Sequence, residues 1–243
     1  MNRGHAKKRF GQHFLHDPGT IDRIVRAIAP QPGERIVEVG PGRGAITAPV
    51  LERAGAIDVV EIDRDVLPLL AAHCAGRGEL RVHVADALEF DFRALRGDGP
   101  RLRLIGNLPY NVSTPLLFHF VGQLDAIADM HFMLQREVVR RMAAAPGSGE
   151  YGRLTVMLAP HVAVEPLFDI GTGAFSPPPQ VVSTFFALRP HATPPFDTGD
   201  TAAFARVVAA AFSQRRKTLR NALRGLLEPA QIEAAGVDPG ARA

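Results

Sequence analysis

An amide, a proline and an aromatic residue follow one another near the middle of the chain, directly after the apolar residues 102–106. They are Asn107, Pro109 and Tyr110, with Leu108 between the first two. The side-chain oxygen of Asn107 and a backbone carbonyl, that of Leu108, can each accept a hydrogen bond from an amino group. Pro109 fixes the turn, and Tyr110 can stack on a planar base. We predict that these four residues, the NLPY motif, hold the exocyclic amine of a nucleobase as the catalytic part of a site.

A glycine-rich turn, residues 40–44, follows an earlier apolar segment at residues 35–39. Gly40 and Gly42 let the backbone approach a ligand closely, and the helix that follows offers unpaired amide groups at its N-terminus. Gly40, Gly42 and Ala45 also satisfy the spacing of a dinucleotide-binding fingerprint. Taken alone, the turn favours a nucleoside methyl donor and a nicotinamide or flavin cofactor about equally.

Two acids are predicted at the ends of the next two strands. Glu61 has Ile62 beside it, and Asp86 has Ala87 beside it. Glu61 would hold ribose hydroxyls in either kind of enzyme, whereas Asp86 can accept a hydrogen bond from the adenine of a nucleoside cofactor. We assign these four residues to cofactor binding.

The NLPY motif, taken together with the glycine turn and the two strand-end acids, favours methyl transfer onto adenine. The amino nitrogen of adenine is a poor nucleophile because its lone pair is delocalised into the ring, and acceptors at Asn107 and Leu108 would localise it. A methyl group on a sulfonium already has an excellent leaving group, so the protein's main tasks are alignment and the exclusion of water. No strong general base is required.

Strand-like apolar segments alternate with segments of helical spacing as far as Ala144. Strands are predicted at residues 35–39, 57–62, 80–84, 102–105 and 130–134. This alternation predicts an α/β fold with a Rossmann-like, doubly wound, mostly parallel sheet that binds ligands beyond the C-terminal ends of its strands. Later strands at 164–170 and 182–188 predict an antiparallel edge hairpin. We expect a catalytic domain at residues 1–191 and a small all-α, RNA-contacting domain at 196–243.

The loop that joins the last two strands, residues 175–181, contains three consecutive prolines. It is rigid enough to bring Phe175 to the edge of the target base, which places Phe175 among the predicted catalytic residues. On spacing alone, a plain proline-stiffened connection is equally favoured.

Basic residues recur at helical spacing near the C-terminus. Arg216, Arg220 and Arg224 share one face of a predicted helix, and leucines at 219, 223 and 227 form a neighbouring stripe. Arg215 and Lys217 widen the basic face. We predict that this helix docks by its leucines and that its five basic residues contact RNA phosphates.

The composition restricts the class of protein. The 243 residues carry 28 Lys and Arg against 25 Asp and Glu, a net charge of +3 that permits a polyanionic partner without requiring one. The lone Cys74 cannot form an internal disulfide and is interpreted as a core residue, and no signal peptide or membrane span is visible. We expect a cytoplasmic monomer, and the nine histidines show no metal-binding spacing.

Eight motifs, taken in order, resemble those of the small-subunit ribosomal RNA adenine dimethyltransferases, which are relatives of the large-subunit rRNA methyltransferases of antibiotic resistance. They are residues 9–15 (RFGQHFL), 38–42 (EVGPG), 61–63 (EID), 86–87 (DA), 106–110 (GNLPY), 151–154 (YGRL), 175–181 (FSPPPQV) and 214–221 (QRRKTLRN). The resemblance covers nearly the whole length. It implies S-adenosylmethionine as the methyl donor and two adjacent adenosines near the end of 16S rRNA, in an immature small subunit, as the target, each of which receives two methyl groups.

The resemblance also implies roles that spacing does not show. Gln12, His13 and Leu15 would come from an N-terminal segment that folds over the cofactor, and Asn107 would contact the cofactor as well as the base. His13 stands where many members carry Asn, and Gln180 where Lys is common. The family usually continues into a further helix, so we expect the small domain to be C-terminally incomplete.

Three alternatives remain open at this point. The chain could be a related large-subunit rRNA adenine methyltransferase, or a ribosome assembly factor in which catalysis is secondary. It could also be a dinucleotide oxidoreductase, which would bind NAD in place of S-adenosylmethionine.

Overall fold

The computed structural model describes residues 13–214 and 216–243, and this part of the chain divides into two units. The first unit combines the chain up to Val139 with Val164–Pro190, and the second combines Arg140–Ala163 with His191–Ala243. The single boundary predicted between residues 191 and 196 does not account for residues 140–163, which pack with the C-terminal segment. No helix of the described residues is long and apolar enough to cross a membrane.

A mostly parallel sheet forms the centre of the fold. The strands of the described residues are β1 (Phe14–Leu15), β2 (Ile36–Val39), β3 (Ala56–Val60), β4 (Glu79–His83), β5 (Leu102–Asn107), β6 (Ile127–Gln135), β7 (Val162–Ile170), β8 (Phe175–Ser176) and β9 (Ser183–Pro190). Seven of these described strands form one sheet in the order β4-β3-β2-β5-β6-β9-β7. Strands β2 to β6 are parallel to one another, and β9 is antiparallel to β6. The predicted Rossmann-like fold is confirmed.

The helices of the described residues follow the apolar spacing of the sequence. They are α1 (Pro18–Ile28), α2 (Thr47–Ala54), α3 (Leu67–Cys74), α4 (Phe92–Arg96), α5 (Ser113–Val121), α6 (Arg136–Met142), α7 (Arg153–Leu158), α8 (Thr201–Ser213), α9 (Leu219–Ala222) and α10 (Pro229–Ala234). In α1 the carboxylate of Asp17 accepts a hydrogen bond from the backbone N–H of Thr20 at 2.7 Å, which caps the first turn. Ile24, Val25 and Ile28 then bury one face of the helix.

The central strands are buried, which is why they are continuous apolar runs. All four residues of β2 are buried, as are most of β5 and β6. The core cluster between the sheet and its helices includes Ile36, Ile57, Ile105 and Cys74, so the core role predicted for Cys74 is confirmed. Because β2, β3 and β5 are parallel, the loops at their C-terminal ends meet at one edge of the sheet.

A second, two-stranded sheet closes over that edge. β1 pairs antiparallel with β8, with Phe14 opposite Ser176 and Leu15 opposite Phe175. The backbone N–H of His16 also donates to the carbonyl of Ala174 at 2.9 Å. We call residues 13–15 the strap, because they cross above the glycine turn and are held there by β8.

Strand β5 approaches β2 so closely that Gly106 has no room for a side chain. A Cβ atom at Gly106 would lie 2.4 Å from the carbonyl oxygen of Val39, which is backbone and cannot move aside. We expect Gly106→Ala to lower the free energy of unfolding by at least about 3 kcal/mol in urea titrations followed by circular dichroism. Gly33→Ala is the control: its φ is +82° but nothing lies within 4 Å, so about 1 kcal/mol should be lost. Equal losses would contradict the steric explanation.

A buried carboxyl group in β2 makes the stability of the fold depend on pH. Glu38 is 2% exposed and accepts a hydrogen bond from the Thr47 hydroxyl at 2.6 Å. Burial raises the pKa of Glu38 from 4.5 to about 7, so the folded chain binds this proton more tightly than the unfolded chain does. The stability that the proton contributes is fully present below pH 4.5 and is lost as the pH rises to about 7.

We therefore expect Glu38→Gln, which keeps the shape and carries no titrating group, to remove part of the pH dependence of stability. The wild-type chain should lose about 3 kcal/mol more than the variant between pH 4.5 and pH 7.5. Urea titrations at the two pH values measure this difference. Parallel losses in the two proteins would show that burial does not raise the pKa of Glu38.

Candidate active site

A cavity of about 270 Å³ lies in the first unit at the C-terminal ends of the parallel strands, with the strap along one side. All but one of the predicted catalytic and cofactor-binding residues that the structure describes line it: His13, Leu15, Gly40, Gly42, Glu61, Ile62, Asp86, Ala87, Asn107, Leu108, Pro109 and Tyr110. Gln12 lies outside the described residues. The fold thus brings the glycine turn, both acids and the NLPY motif into one cavity.

The glycine turn and the strap are in direct contact. A Cβ atom at Gly42, whose φ is +55°, would lie 3.2 Å from the ring of Phe14. The guanidinium of Arg43 stands 4.2 Å from the centre of the same ring, a cation–π contact. Glycine is needed at position 42 both for its backbone conformation and for the room that the strap requires.

Glu61 connects the end of β3 to the glycine turn. Its carboxylate accepts hydrogen bonds from the backbone N–H groups of Asp63 at 2.8 Å and Gly42 at 3.3 Å. Burial raises the pKa of Glu61, and the two backbone donors oppose that rise. Asp86 is exposed at the other side of the cavity, where one carboxylate oxygen accepts from the N–H of Leu88 at 2.9 Å. Both acids therefore present oriented acceptor oxygens at the cavity.

Asn107 is oriented by the strap. Its side-chain Nδ2 donates to the backbone carbonyl of His13 at 3.0 Å. Because the amide nitrogen is used in this way, the oxygen Oδ1 is the atom that can accept from an incoming amino group. The backbone N–H of Leu108 donates to Met133 at 3.3 Å, which ties the motif to β6.

Tyr110 is held at its ring and at its hydroxyl. The ring stacks on the imidazole of His13, with centroids 5.8 Å apart and planes 28° apart. The hydroxyl forms a 2.7 Å hydrogen bond with the side chain of Ser183. Burial raises the pKa of Tyr110, so the phenol stays protonated at neutral pH.

Phe175 does not line the cavity, and its contact with the target base stays a prediction. The side chain is 2% exposed and belongs to the core cluster, where its backbone pairs with Leu15. Burial in that core stabilises the apolar ring, and Leu15 of the strap belongs to the same cluster. The alternative, a structural role for the proline-rich loop, accounts for its position.

Sequence reasoning missed further residues of this region, of which four bear most directly on the site. Phe14, Arg43 and Glu38 line the cavity, and Ser183 holds Tyr110. Ser183 is fully buried, and a buried hydroxyl needs a hydrogen-bond partner, but the sequence did not show that burial. Phe14 and Arg43 had no signal in the sequence either, because their contact joins segments that are distant in sequence.

The basic residues lie in the second unit, but not on one helix. Helix α9 covers only Leu219–Ala222, so Arg216 and Lys217 precede it and Arg224 follows it. The backbone N–H groups of Leu219 and Arg220 donate to carbonyls of Ala241 and Pro239, which fixes the start of the helix at that point.

The four described basic residues, Arg216, Lys217, Arg220 and Arg224, are exposed as predicted, and Arg215 lies outside the described residues. The leucine stripe is retained, because Leu219, Leu223 and Leu227 all belong to the apolar cluster of this unit.

Known proteins resemble this chain over nearly its whole length. Residues 3–243 match the profile of the family described as ribosomal RNA adenine dimethylase. The ribosomal RNA small subunit methyltransferase A of Nitrosococcus oceani is 55% identical over 240 residues, which are 98% of this chain and 91% of that protein. The protein of the same name from Pseudomonas aeruginosa is 52% identical, over 98% of this chain and 88% of that protein.

Solved structures agree. A dimethyladenosine transferase from Plasmodium falciparum has a TM-score of 0.75 and 25% identity, over 91% of this chain and 78% of that one. The 23S rRNA methyltransferase ErmE has a TM-score of 0.72 and 27% identity, over 94% of this chain and 92% of that one. With the profile match over almost the whole length, these similarities show that the chain belongs to the ribosomal RNA adenine dimethylase family.

Proposed function

We propose that this chain dimethylates the N6 amino groups of two adjacent adenosines in small-subunit rRNA, with S-adenosylmethionine as the methyl donor. The observation that carries the proposal is the orientation of Asn107. Its amide nitrogen is bonded to the strap and its oxygen remains to accept from an amino group at the cavity. A site of this kind selects an exocyclic amine and fixes it beside the donor.

The residues at the cavity fit the donor. Its ribose hydroxyls and amino groups need acceptors, and the carboxylates of Glu61 and Asp86 supply them at the ends of two strands. The apolar side chains of Ile62 and Leu15 line the cavity beside the glycine turn and flank a nucleoside-sized space. When bound, S-adenosylmethionine supplies a methyl group on a sulfonium, a good leaving group.

The protein's own contribution is alignment. Asn107 Oδ1 and the carbonyl of Leu108 would accept the two N–H groups of the amine, which directs the nitrogen lone pair away from the purine ring. Tyr110 would stack on the base, a contact worth about 1–3 kcal/mol. The strap covers the glycine turn and reduces the access of water to the cavity.

The small subunit is the preferred source of the RNA. Relatives at 52–55% identity carry the name of small-subunit methyltransferases, whereas the large-subunit enzyme ErmE shares 27%. We propose an immature small subunit as the substrate, a monomer as the active form and the cytoplasm as its location. The basic segment of residues 216–224 is the proposed contact with rRNA phosphates.

Incubation with radiolabelled S-adenosylmethionine tests the substrate directly. Unmethylated small subunits, unmethylated large subunits and free rRNA are compared, and the label is mapped by nuclease digestion. We expect label on two adjacent adenosines of the small subunit. Label on large subunits alone would favour the ErmE-like alternative, and calorimetric binding of NAD in place of the methyl donor would overturn the proposal.

Asn107→Ala removes both the acceptor oxygen and the bond to the strap. We expect kcat for methyl transfer to fall at least about 100-fold. Affinity for rRNA, measured by filter binding, should stay nearly unchanged, because the phosphate contacts lie elsewhere. Circular dichroism serves as the folding control, and a folded variant with wild-type kcat would refute the assignment of Asn107.

Neutralising Lys217, Arg220 and Arg224 to glutamine tests the basic segment. The slope of log affinity against log salt should fall by about three, with binding near physiological salt weakened at least tenfold. Arg26, Arg77 and Arg93, which form surface ion pairs in the first unit, give a control triple variant with the same loss of charge. If the two triple variants change the slope equally, the segment has no special role in RNA binding.

A further inference from the structure

The side chain of Tyr110 is held by two residues that come from opposite ends of the first unit. His13, in the strap, covers the ring, and Ser183, at the start of β9, is bonded to the hydroxyl. The three residues are separated by 97 and 73 positions in sequence, from residue 13 to 110 and from 110 to 183. Such a contact between distant segments restricts the ring more than the NLPY turn does by itself.

We propose that His13 and Ser183 are positioning residues for Tyr110, which hold its ring as a one-sided platform on which the target adenine stacks. The inference rests on the proposed function, since it assigns the geometry of base binding in the same site. It adds two residues that act through Tyr110 and do not themselves contact the reacting atoms.

The imidazole of His13 is itself held in place, so that it can support the ring of Tyr110. Its Nδ1 lies 2.9 Å from the carbonyl oxygen of Pro177. A carbonyl only accepts hydrogen bonds, so Nδ1 is the donor. The backbone carbonyl of the same residue accepts from Asn107 at 3.0 Å. His13 is therefore tied to the proline-rich loop by its side chain and to the NLPY motif by its backbone.

Ser183 is an equally fixed partner. It is fully buried, and its backbone is paired with Gln135 in the sheet. A buried hydroxyl without a partner costs free energy, and the Tyr110 hydroxyl is the partner that the structure supplies. Because the phenol stays protonated, the bond persists through the neutral pH range.

These two anchors limit where a base can stack on the ring. An aromatic ring has two faces, and the imidazole stacks on one of them. A target base can then stack on the other face alone, while the bond to Ser183 prevents the ring from tilting away. The stacking surface is thus ordered before the base arrives, which reduces the entropy lost on binding.

The chain is suited to a direct test because it contains two tyrosines and no tryptophan. With ¹³C-labelled tyrosine, the ring signals of the free protein belong to Tyr110 and Tyr151, and Tyr151→Phe assigns them. We expect His13→Asn to shift the Tyr110 signals by removing a ring current, and Ser183→Ala to speed the flipping of that ring. The Tyr151 signals should not move, and His16→Asn, a change of the same kind beside the strap, should move neither.

Kinetics on unmethylated small subunits provide the second measurement. We expect His13→Asn to raise KM about three- to tenfold with a smaller change in kcat, and His13→Phe, which restores a ring, to recover most of the loss. Ser183→Ala should have an effect of similar size. In a Tyr110→Phe background the serine has lost its partner, so Ser183→Ala should then cost nothing further.

Three outcomes overturn the inference. Tyr110 signals that stay unmoved in both variants would show that the ring is not braced. A Ser183→Ala effect that persists in the Tyr110→Phe background would show a purely structural serine. A lower KM in His13→Asn would show that the imidazole competes with the base for the ring. The spectra need no substrate, so they test the positioning of Tyr110 by itself. A failure of the proposed function would instead be seen as no label on small subunits.

Discussion

The hydrogen bond from the Asn107 amide to the His13 carbonyl joins the two halves of the site. On one side it closes the strap over the glycine turn, where the ring of Phe14 occupies the space that a side chain at Gly42 would need. On the other it leaves the oxygen of Asn107 to face an amine. A cofactor pocket and an amine site are thus coupled by one polar contact between segments that are 94 residues apart in sequence.

The sheet makes that contact possible. Strand β5 lies so close to β2 that Gly106 has no room for a side chain, and Asn107 follows at the very end of the strand. A shift of one residue in this register would turn the amide away from the cavity. The buried carboxyl groups of Glu38 and Glu61 lie next to this edge, where burial raises the pKa of both. A cationic ligand in the cavity would favour the ionised form of both carboxyl groups.

Local and periodic features were predictable from the sequence, and contacts between distant segments were not. Glycines, strand-end acids and the NLPY turn gave the fold and most of the cavity, because parallel strands carry their C-terminal loops to one edge. The buried position of Phe175 was not predictable, because an aromatic residue suits a core as well as a stacking role, and its pairing with Leu15 joins distant segments. The helix predicted from Arg216 to Arg224 is shorter in the structure, because the backbone N–H groups at residues 219 and 220 donate to the carbonyls at 241 and 239. Residues 140–163 were predicted within the first domain but belong to the second unit, because packing, not chain order, defines the units.

The pairing of β1 with β8 has a consequence for the order in which the molecule is made. The glycine turn and the NLPY motif leave the synthesis machinery early, yet the strap has no partner strand until Phe175 and Ser176 have followed. Ser183, which holds the tyrosine hydroxyl, comes later still. A nascent chain therefore carries the glycine turn and the NLPY motif before it can close its own pocket, since closure needs residues 175–183.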